Sequence, residues 1–553
     1  MDAADAAPSA LLRGANSCGT VVGMDTGVGA GRGSAPTRAE VIAALSLGID
    51  LGLGQPMEHM LRAAVIATRL ADRMGLDPDQ RAVVYYADLV AWIGCHADSP
   101  ELAEVFRDEI DFRAGTYRVD LRGLPRARFF LRRAAADRAT LDRGRNTVKF
   151  MITGRRRMTD ILESHYVSAG ALADRLGLGA RVRTAVRHTF ERWDGTGLPQ
   201  GVQGDAIPIE MRIVQLADVA EVHWREDGSR AAVDMARRRS GTQFDPDIVS
   251  VFDRYADEIL AEPLGDDAWR AALALAPEWD RPLSEPDLDE LLVALGDFVD
   301  LKSRFRHGHS RAVAALAGDA ARLIGLPDDD VDRLRRAGAV HDLGRLGVSN
   351  SIWDKPTPLS SVERERVRLY PYLTQRILGR VTGLTQVAAL AGAHRELLDG
   401  SGYPKGVDAT FLSVPARILA AADRYQSLTE SRPHRAALPA ADAATALDRD
   451  ALAGRLDPAA VAAVASVTSV AGHATRRRAV RPSGLTPREE EVLALAAVGR
   501  SSRDIAAELV ISEKTVRNHL EHIYAKAGVS NRASASLFAV QHGIVKTAPD
   551  AGG

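Results

Sequence analysis

Between Lys514 and Lys526 the chain carries side chains suited to reading DNA. Lys514, Arg517, Asn518 and Glu521 recur at i, i+3, i+4 and i+7, so a helix would set them on one face, flanked by Thr515, His519, His522 and Lys526. Lys, Arg, Asn and His are the groups that meet phosphates and base edges in a major groove. Val516, Leu520, Ile523 and Ala527 form a separate apolar stripe at i, i+4, i+7 and i+11. An ordinary solvated helix would carry similar charges, and the neighbouring elements decide between the two. Thr486 stands before Pro487 with Glu489 three residues on, which is a capping box. Ser501 and Asp504 repeat that arrangement, and Ser512 is placed to cap a third helix. Only Val510-Ile511-Ser512 separates the second helix from the third, the short turn a helix-turn-helix needs. Lys514, Thr515, Arg517, Asn518, His519 and Lys526 are the candidate DNA contacts.

This segment resembles the LuxR-type DNA-binding domain of bacterial response regulators. The resemblance rests on Leu485-Thr-Pro-Arg-Glu489, Ser512-Glu-Lys-Thr-Val-Arg-Asn-His519 and Gly528-Val-Ser-Asn-Arg532, and covers residues 485–545. It implies a four-helix domain that binds double-stranded DNA as a homodimer. Charge agrees: Arg476 to Lys546 holds 12 Lys or Arg against 7 Asp or Glu, a balance of +5 in a chain of net charge −2, which leaves −7 for the remainder. A basic module on an acidic body fits a tethered reader of nucleic acid and not a protein that coats it throughout.

The remaining composition excludes several classes. At 553 residues the chain is too long for one core and calls for three or four domains. Cys18 and Cys95 are its only cysteines, so neither a disulfide framework nor a cysteine-built zinc site is available. No run of about 18 strongly apolar residues occurs, so no membrane span is expected. The start Met-Asp-Ala-Ala-Asp lacks the basic opening of a secretory signal, and the expected location is the cytoplasm.

The body repeats itself. Arg192-Trp-Asp-Gly-Thr-Gly-Leu-Pro-Gln-Gly201 returns as Leu397-Leu-Asp-Gly-Ser-Gly-Tyr-Pro-Lys-Gly406, and Arg212-Ile213 and Asp218 return as Arg417-Ile418 and Asp423. His59 precedes Gly75-Leu76 as His309 precedes Gly325-Leu326. The offset is 250 early (309 − 59) and 205 later (399 − 194), so the first copy carries about 45 additional residues, placed near 97–156. Both copies consist of Ala/Leu/Val/Arg segments of helical period joined by Gly/Pro loops. The expected order is a disordered stretch 1–38, repeat 1 at 39–265, repeat 2 at 283–470, a linker 471–484, the DNA-binding domain 485–545 and a tail 546–553, all-α throughout.

Repeat 2 contains Ala339-Val-His341-Asp342-Leu-Gly-Arg345, Lys355-Pro356 and Asp399-Gly-Ser-Gly-Tyr403-Pro404, and with these it resembles the HD-GYP branch of the HD phosphohydrolases. The resemblance implies an all-α fold around a buried metal site, and in intact members phosphodiesterase activity on cyclic di-GMP. Carried onto this sequence, the ligand set falls on His309, His341, Asp342 and Asp423. Two imidazoles and two carboxylates suit one divalent ion (iron, manganese, zinc or similar) without choosing among them. Intact members hold a second metal on a further His and a His-His pair, and two metals activate the attacking water. Here those positions read Tyr370 and His394-Arg395. A neutral phenol is a poor ligand and a protonated guanidinium is none, so two-metal catalysis is not expected, while one-metal hydrolysis stays open. Arg345, His394, Arg395 and Tyr403 mark a candidate site for a phosphorylated, nucleotide-type ligand. In repeat 1 the His-Asp pair is replaced by Ala91-Trp92, and the pair at 394–395 by Thr189-Phe190, so that copy should be inert. The expected protein is a LuxR-type transcription regulator with an HD-GYP-like sensory and dimerisation body. The alternative is a metal-dependent phosphohydrolase coupled to DNA binding.

Overall fold

The computed structural model describes residues 35–106, 108–134, 162, 165, 168–261, 267–277, 280–474, 485–527, 529 and 532–544. Within them every extended element is a helix, and β pairing is confined to isolated bridges such as Asp399 with Asp408. The stretch before residue 35, residues 135–161 of the insertion, residues 475–484 of the linker and the tail lie outside the described residues. The first helix starts at Arg38 on a Thr37–Glu40 capping box, inside the stretch expected to be disordered. Among the described residues no helix is long and apolar enough to cross a membrane.

The two repeats follow one plan. Each opens on a capped helix, Arg38–Leu53 and Glu285–Leu301. The histidine-bearing helices His59–Arg73 and His309–Ile324 come next, entered from a left-handed residue, Glu58 (φ 75°) or Gly308 (φ 77°). Pro78–Val90 and Asp328–Val340 then run into the 3-10 turns Ile93–His96 and Leu343–Gly347. The long helices Ile209–Asp227 and Val414–Thr429 bring in Asp218 and Asp423. One apolar core runs continuously through both copies, from Ala39 to Val464.

The glycine-rich turn is the same in both copies. Asp194 accepts from the Thr196 amide (3.0 Å) and hydroxyl (2.6 Å), and Asp399 does so from Ser401 at the same distances. A Cβ on Gly402 would lie 2.4 Å from the Leu397 nitrogen, and one on Gly197 2.5 Å from that of Arg192, so the chain closes on itself only with glycine at these points. The peptides before Pro199 and Pro404 are both cis.

The insertion of repeat 1 supplies the helices Ser99–Val105, Glu109–Thr116 and Gly123–Ala134, which bury Leu102, Phe106, Phe112 and Phe129 as a small cluster of their own. Glu109 reaches across to repeat 2. Ser349 Oγ (2.6 Å) and the Asn350 amide (2.8 Å) donate to it, and Lys302 Nζ lies 3.4 Å away. Burial pushes Lys302 down to about 8. Burial also works to raise Glu109, but Lys302 and Arg113 outweigh it and hold the carboxyl below its usual value.

The C-terminal helices are Pro487–Ala497, Ser502–Glu508, Glu513–Ala527 and Arg532–Gln541, around a core separate from that of the body. Thr486 and Ser501 each close a capping box, and Ser512 Oγ accepts from the Thr515 amide (3.0 Å). Val516, Leu520 and Ile523 are buried as the stripe predicts, with Ala527 half-buried.

Candidate metal centre and DNA-reading face

In repeat 2 three histidines are aimed by their own hydrogen bonds. His309 Nδ1 donates to both Glu430 oxygens (2.9 and 3.0 Å), and His341 Nδ1 donates to the Gly338 carbonyl (2.7 Å). A carboxylate and a carbonyl only accept, so the Nδ1 proton of each ring is committed and Nε2 is the atom left to face a metal. Both Nε2 atoms, and Oδ1 of Asp342, are buried without a hydrogen-bond partner. His309 Nε2 lies 3.2 Å and His341 Nε2 3.7 Å from Asp423 Oδ1, and His341 Nε2 is 3.5 Å from Asp342 Oδ1. Leaving such atoms unpaired in a core is costly, and a divalent cation would satisfy them in either of two buried groups, His309 with His341 and Asp423, or His341 with Asp342 and His394. The residues present therefore fit a metal, with Glu430 as the outer carboxylate that fixes a ligating histidine.

Electrostatics follow the same division. Burial lowers His309, and Arg306 adds to this against Glu430 and Asp423, so the ring is held below its ordinary value and neutral. Burial works to raise Asp342 and Asp423, but Arg306 at the first and Arg395 at the second hold both well below the carboxylate range.

The neighbouring second-metal positions are closed by a hydrogen-bonded chain. His394 Nδ1 donates to the Ala391 carbonyl (2.6 Å), which leaves Nε2 to accept from the Tyr370 hydroxyl (2.7 Å). The Tyr370 oxygen accepts from Arg395 Nε (2.8 Å), and Arg395 Nη2 lies 3.0 Å from Asp423 Oδ2. Burial raises Tyr370 well above 10, so the phenol stays neutral, and burial with His341 pushes His394 down to about 3. His394 Nε2 borders Asp342 Oδ1 at 3.9 Å but would have to give up Tyr370 to ligate anything there. Arg345 stacks 3.5 Å over the Trp353 ring centroid, and Arg368 lies 5.4 Å over Tyr403. Arg345, His394, Arg395 and Tyr403 all neighbour the Tyr370 ring, and Arg368 over Tyr403 is an addition the sequence did not single out.

Repeat 1 fills the equivalent space with packing. His59 Nδ1 meets Glu221 (2.5 Å) and Nε2 meets Asp218 (3.0 Å), while Arg62 Nε pairs with Glu221 (2.6 Å). Burial alone would lower His59, but Glu221 and Asp218 push it up to about 10. Trp92 packs edge-on against Phe190 and Tyr117, and Tyr117 donates its hydroxyl to Asp218 (3.3 Å). His165, in the register position of Tyr370, is buried beside Phe190 and 3.5 Å from Asp98. His96, out of register, is buried against Phe298.

On the third helix of the C-terminal domain Lys514, Arg517 and Asn518 are exposed together, and His519 is half-buried. Thr515 is half-buried with its hydroxyl 2.8 Å from Ser512 Oγ. Lys526 is placed differently from the expectation. Its Nζ is committed to both Glu489 oxygens (2.7 and 3.0 Å), so it braces the third helix on the first, because the buried end of the capping-box Glu489 needs a cation.

Comparison with known proteins identifies the families of the body and of the C-terminal domain. The HD domain family matches residues 155–248 and 294–460, and the luxR family of bacterial regulatory proteins matches 483–539. The chain belongs to the HD-GYP proteins and carries a LuxR-type helix-turn-helix at its C-terminal end. Among its relatives, 3'3'-cGAMP-specific phosphodiesterase 3 of Vibrio cholerae is 30% identical over 430 residues, which is 77% of this chain and 93% of that protein. The cyclic di-GMP phosphodiesterase of Thermotoga maritima is 30% identical over 169 residues, 30% of this chain and 45% of that protein. A crystal structure of a cyclic GMP-AMP-specific phosphodiesterase of V. cholerae superposes with a TM-score of 0.54 at 26% identity, covering 79% of this chain and 98% of the other.

Sequence reasoning missed Glu430, Arg306, Arg432 and Tyr117. Glu430 could have been found, since it follows Asp423 by two helical turns and sits on the same face. Arg306 stands three residues before His309 and ion-pairs with Asp342. Tyr117 comes from the insertion, and no local pattern ties it to His59.

Proposed function

We propose that this protein is a DNA-binding regulator whose HD-GYP body senses a ligand, with repeat 2 holding one divalent ion on His309, His341, Asp342 and Asp423. The ion would supply Lewis-acid charge for a phosphate group. The ligand class is a cyclic dinucleotide or related nucleotide, as for the relatives, taken by Arg345, Arg395 and Tyr403 with His394 behind them. The observation that carries this reading is the Tyr370–Arg395 pair. Arg395 lies 3.0 Å from Asp423, where a second cation would be needed, and a fixed guanidinium supplies anion binding without activating water. The exposed Lys514–Arg517–Asn518 face supports DNA binding, and a homodimer would read two half-sites about one helical turn apart. Arg517→Ala should weaken binding to selected DNA roughly tenfold, and a phosphate contact there should make the salt slope shallower by about one. Unchanged affinity and slope in an otherwise folded variant would remove the DNA-reading assignment.

One observation favours a second reading, a metal-dependent phosphohydrolase coupled to DNA binding: His309, His341 and Asp423 lie together as one buried group of ligand atoms, and His341, Asp342 and His394 as a second that shares His341. Hydrolysis of 3'3'-cGAMP or cyclic di-GMP by the manganese- or iron-loaded protein, lost in Asp342→Asn, would establish it.

A further inference from the structure

Residues 302–307, just before His309, contact the insertion of repeat 1, the pocket of repeat 2 and the DNA-binding domain. Lys302 Nζ lies 3.4 Å from Glu109 of the insertion in repeat 1. Ser303 Oγ donates to Asp354 (2.8 Å). The Phe305 carbonyl accepts from Arg432 Nη1 (2.7 Å), and Arg432 Nη2 holds Glu430 (2.8 Å), the carboxylate that orients His309. Arg306, buried, ion-pairs with Asp342 Oδ2 and leaves Oδ1 of the same carboxylate without a partner. His307 Nδ1 donates to the Ala497 carbonyl (2.5 Å) at the end of the first helix of the DNA-binding domain. Beside it the backbone of Arg304 lies so near Gly499 that a Cβ there would be 2.8 Å from the Arg304 carbonyl oxygen. Two proposed metal ligands, Asp342 through Arg306 and His309 through Glu430 and Arg432, therefore reach one short strap, and the strap is seated on the DNA-binding domain.

We infer that residues 302–308 couple occupancy of the repeat 2 pocket to the docking of the helix-turn-helix domain. The inference rests on the proposed one-metal reading of that pocket and adds its regulation. The contact leaves Lys514, Arg517 and Asn518 exposed, so it works by fixing how the domain is presented and not by covering its reading face. With a metal bound, Asp342 would be held by its Oδ1 as well as by Arg306 on Oδ2, so that Arg306 would be fixed in turn and the strap would keep the domain in the docked orientation. Coupling between the two sites is reciprocal.

The test uses the full chain, manganese alone as probe, and selected DNA. Manganese should change DNA affinity about fivefold or more, and DNA should change manganese affinity by the same factor. In His307→Ala both factors should fall below about twofold, with manganese still bound at the same stoichiometry. His307→Gln, which keeps an N–H for the Ala497 carbonyl, should restore them. Wild-type DNA affinity that ignores bound manganese, or a His307→Ala variant that keeps the full factor, would overturn the coupling. Hydrogen exchange separates this from failure of the metal reading. If no manganese binds, that reading falls, and the link from pocket to domain is overturned with it unless Asp342→Asn and His307→Ala each lower amide protection across both residues 303–308 and residues 496–500.

Discussion

The two repeats start from one helical plan and end with opposite uses of the same histidine. In repeat 2, His309 donates a hydrogen bond from Nδ1 to Glu430, stays neutral, and turns Nε2 toward Asp423. In repeat 1, His59 is gripped from both ring nitrogens by Glu221 and Asp218 and held charged, so no lone pair remains. The pair that would complete a site is Trp92 and its neighbour Ala91, and the insertion lowers Tyr117 onto Asp218. Both histidines face two carboxylates, so what separates a metal pocket from a structural ion pair is the company around them: Arg306 works against protonation of His309, and His341 and Asp342 extend that group where repeat 1 has Ala91 and Trp92. Repeat 2 has itself moved part of the way, since Tyr370, His394 and Arg395 close the second-metal positions with hydrogen bonds.

The sharpest way to break this comparison is metal content. His309→Ala should reduce bound manganese from about one ion per chain to near zero, whereas His59→Ala should leave it unchanged; equal losses in the two variants would mean that the repeats are not differentiated in this way. Restoring the second-metal ligands should reverse the drift. The double variant Tyr370→His with Arg395→His is expected to bind a second ion and to gain phosphodiesterase turnover, read by chromatography of the cyclic dinucleotide product.

Smaller effects test the plug in repeat 1. Tyr117→Ala removes a buried aromatic ring that packs on Trp92 and His59, and should cost about 3 kcal/mol in denaturant unfolding. A loss under about 1 kcal/mol would show the insertion to be peripheral. Of smaller size still is the pH dependence of the His59 ion pair. Folding raises His59 from 6.5 to about 10, so its contribution is fully present below about pH 6.5 and fades as pH rises toward 10. Glu221, which burial works to raise, is held by His59 at about 2, and its share is present above about pH 4.5 and lost on acidification below that. The melting temperature of the wild type should therefore exceed that of His59→Leu most near pH 5–6, with the gap narrowing by pH 10. A gap that is constant across this range would place the stabilisation in packing and not in the ion pair.

How far these features were legible in the sequence depends on their range. The helix-turn-helix was readable because capping boxes and the Val516–Leu520–Ile523 stripe obey rules of three and four residues, and the structure closes both boxes where the residues put them. The duplication was readable because the turns at Asp194 and Asp399 need the same residues for the same hydrogen bonds. His309, His341, Asp342 and Asp423 were reached only through a family resemblance, since their separations of up to 114 residues (423 − 309) carry no periodicity. Tyr117 and Glu109 act at a distance set by how the insertion folds, and the strap at 302–308 reads as an ordinary loop until its partners are in place. Lys526 shows the converse limit: its position on the helix suited a phosphate, but the tertiary partner Glu489 takes it first.

The central claim is that repeat 2 keeps a binding pocket while giving up two-metal catalysis. Its most direct test is 3'3'-cGAMP incubated with the manganese-loaded full-length protein, with binding followed by calorimetry and product by chromatography on the same sample. The account predicts one metal per chain and a nucleotide that is bound and recovered intact. Two metals per chain with steady release of linear product would contradict it.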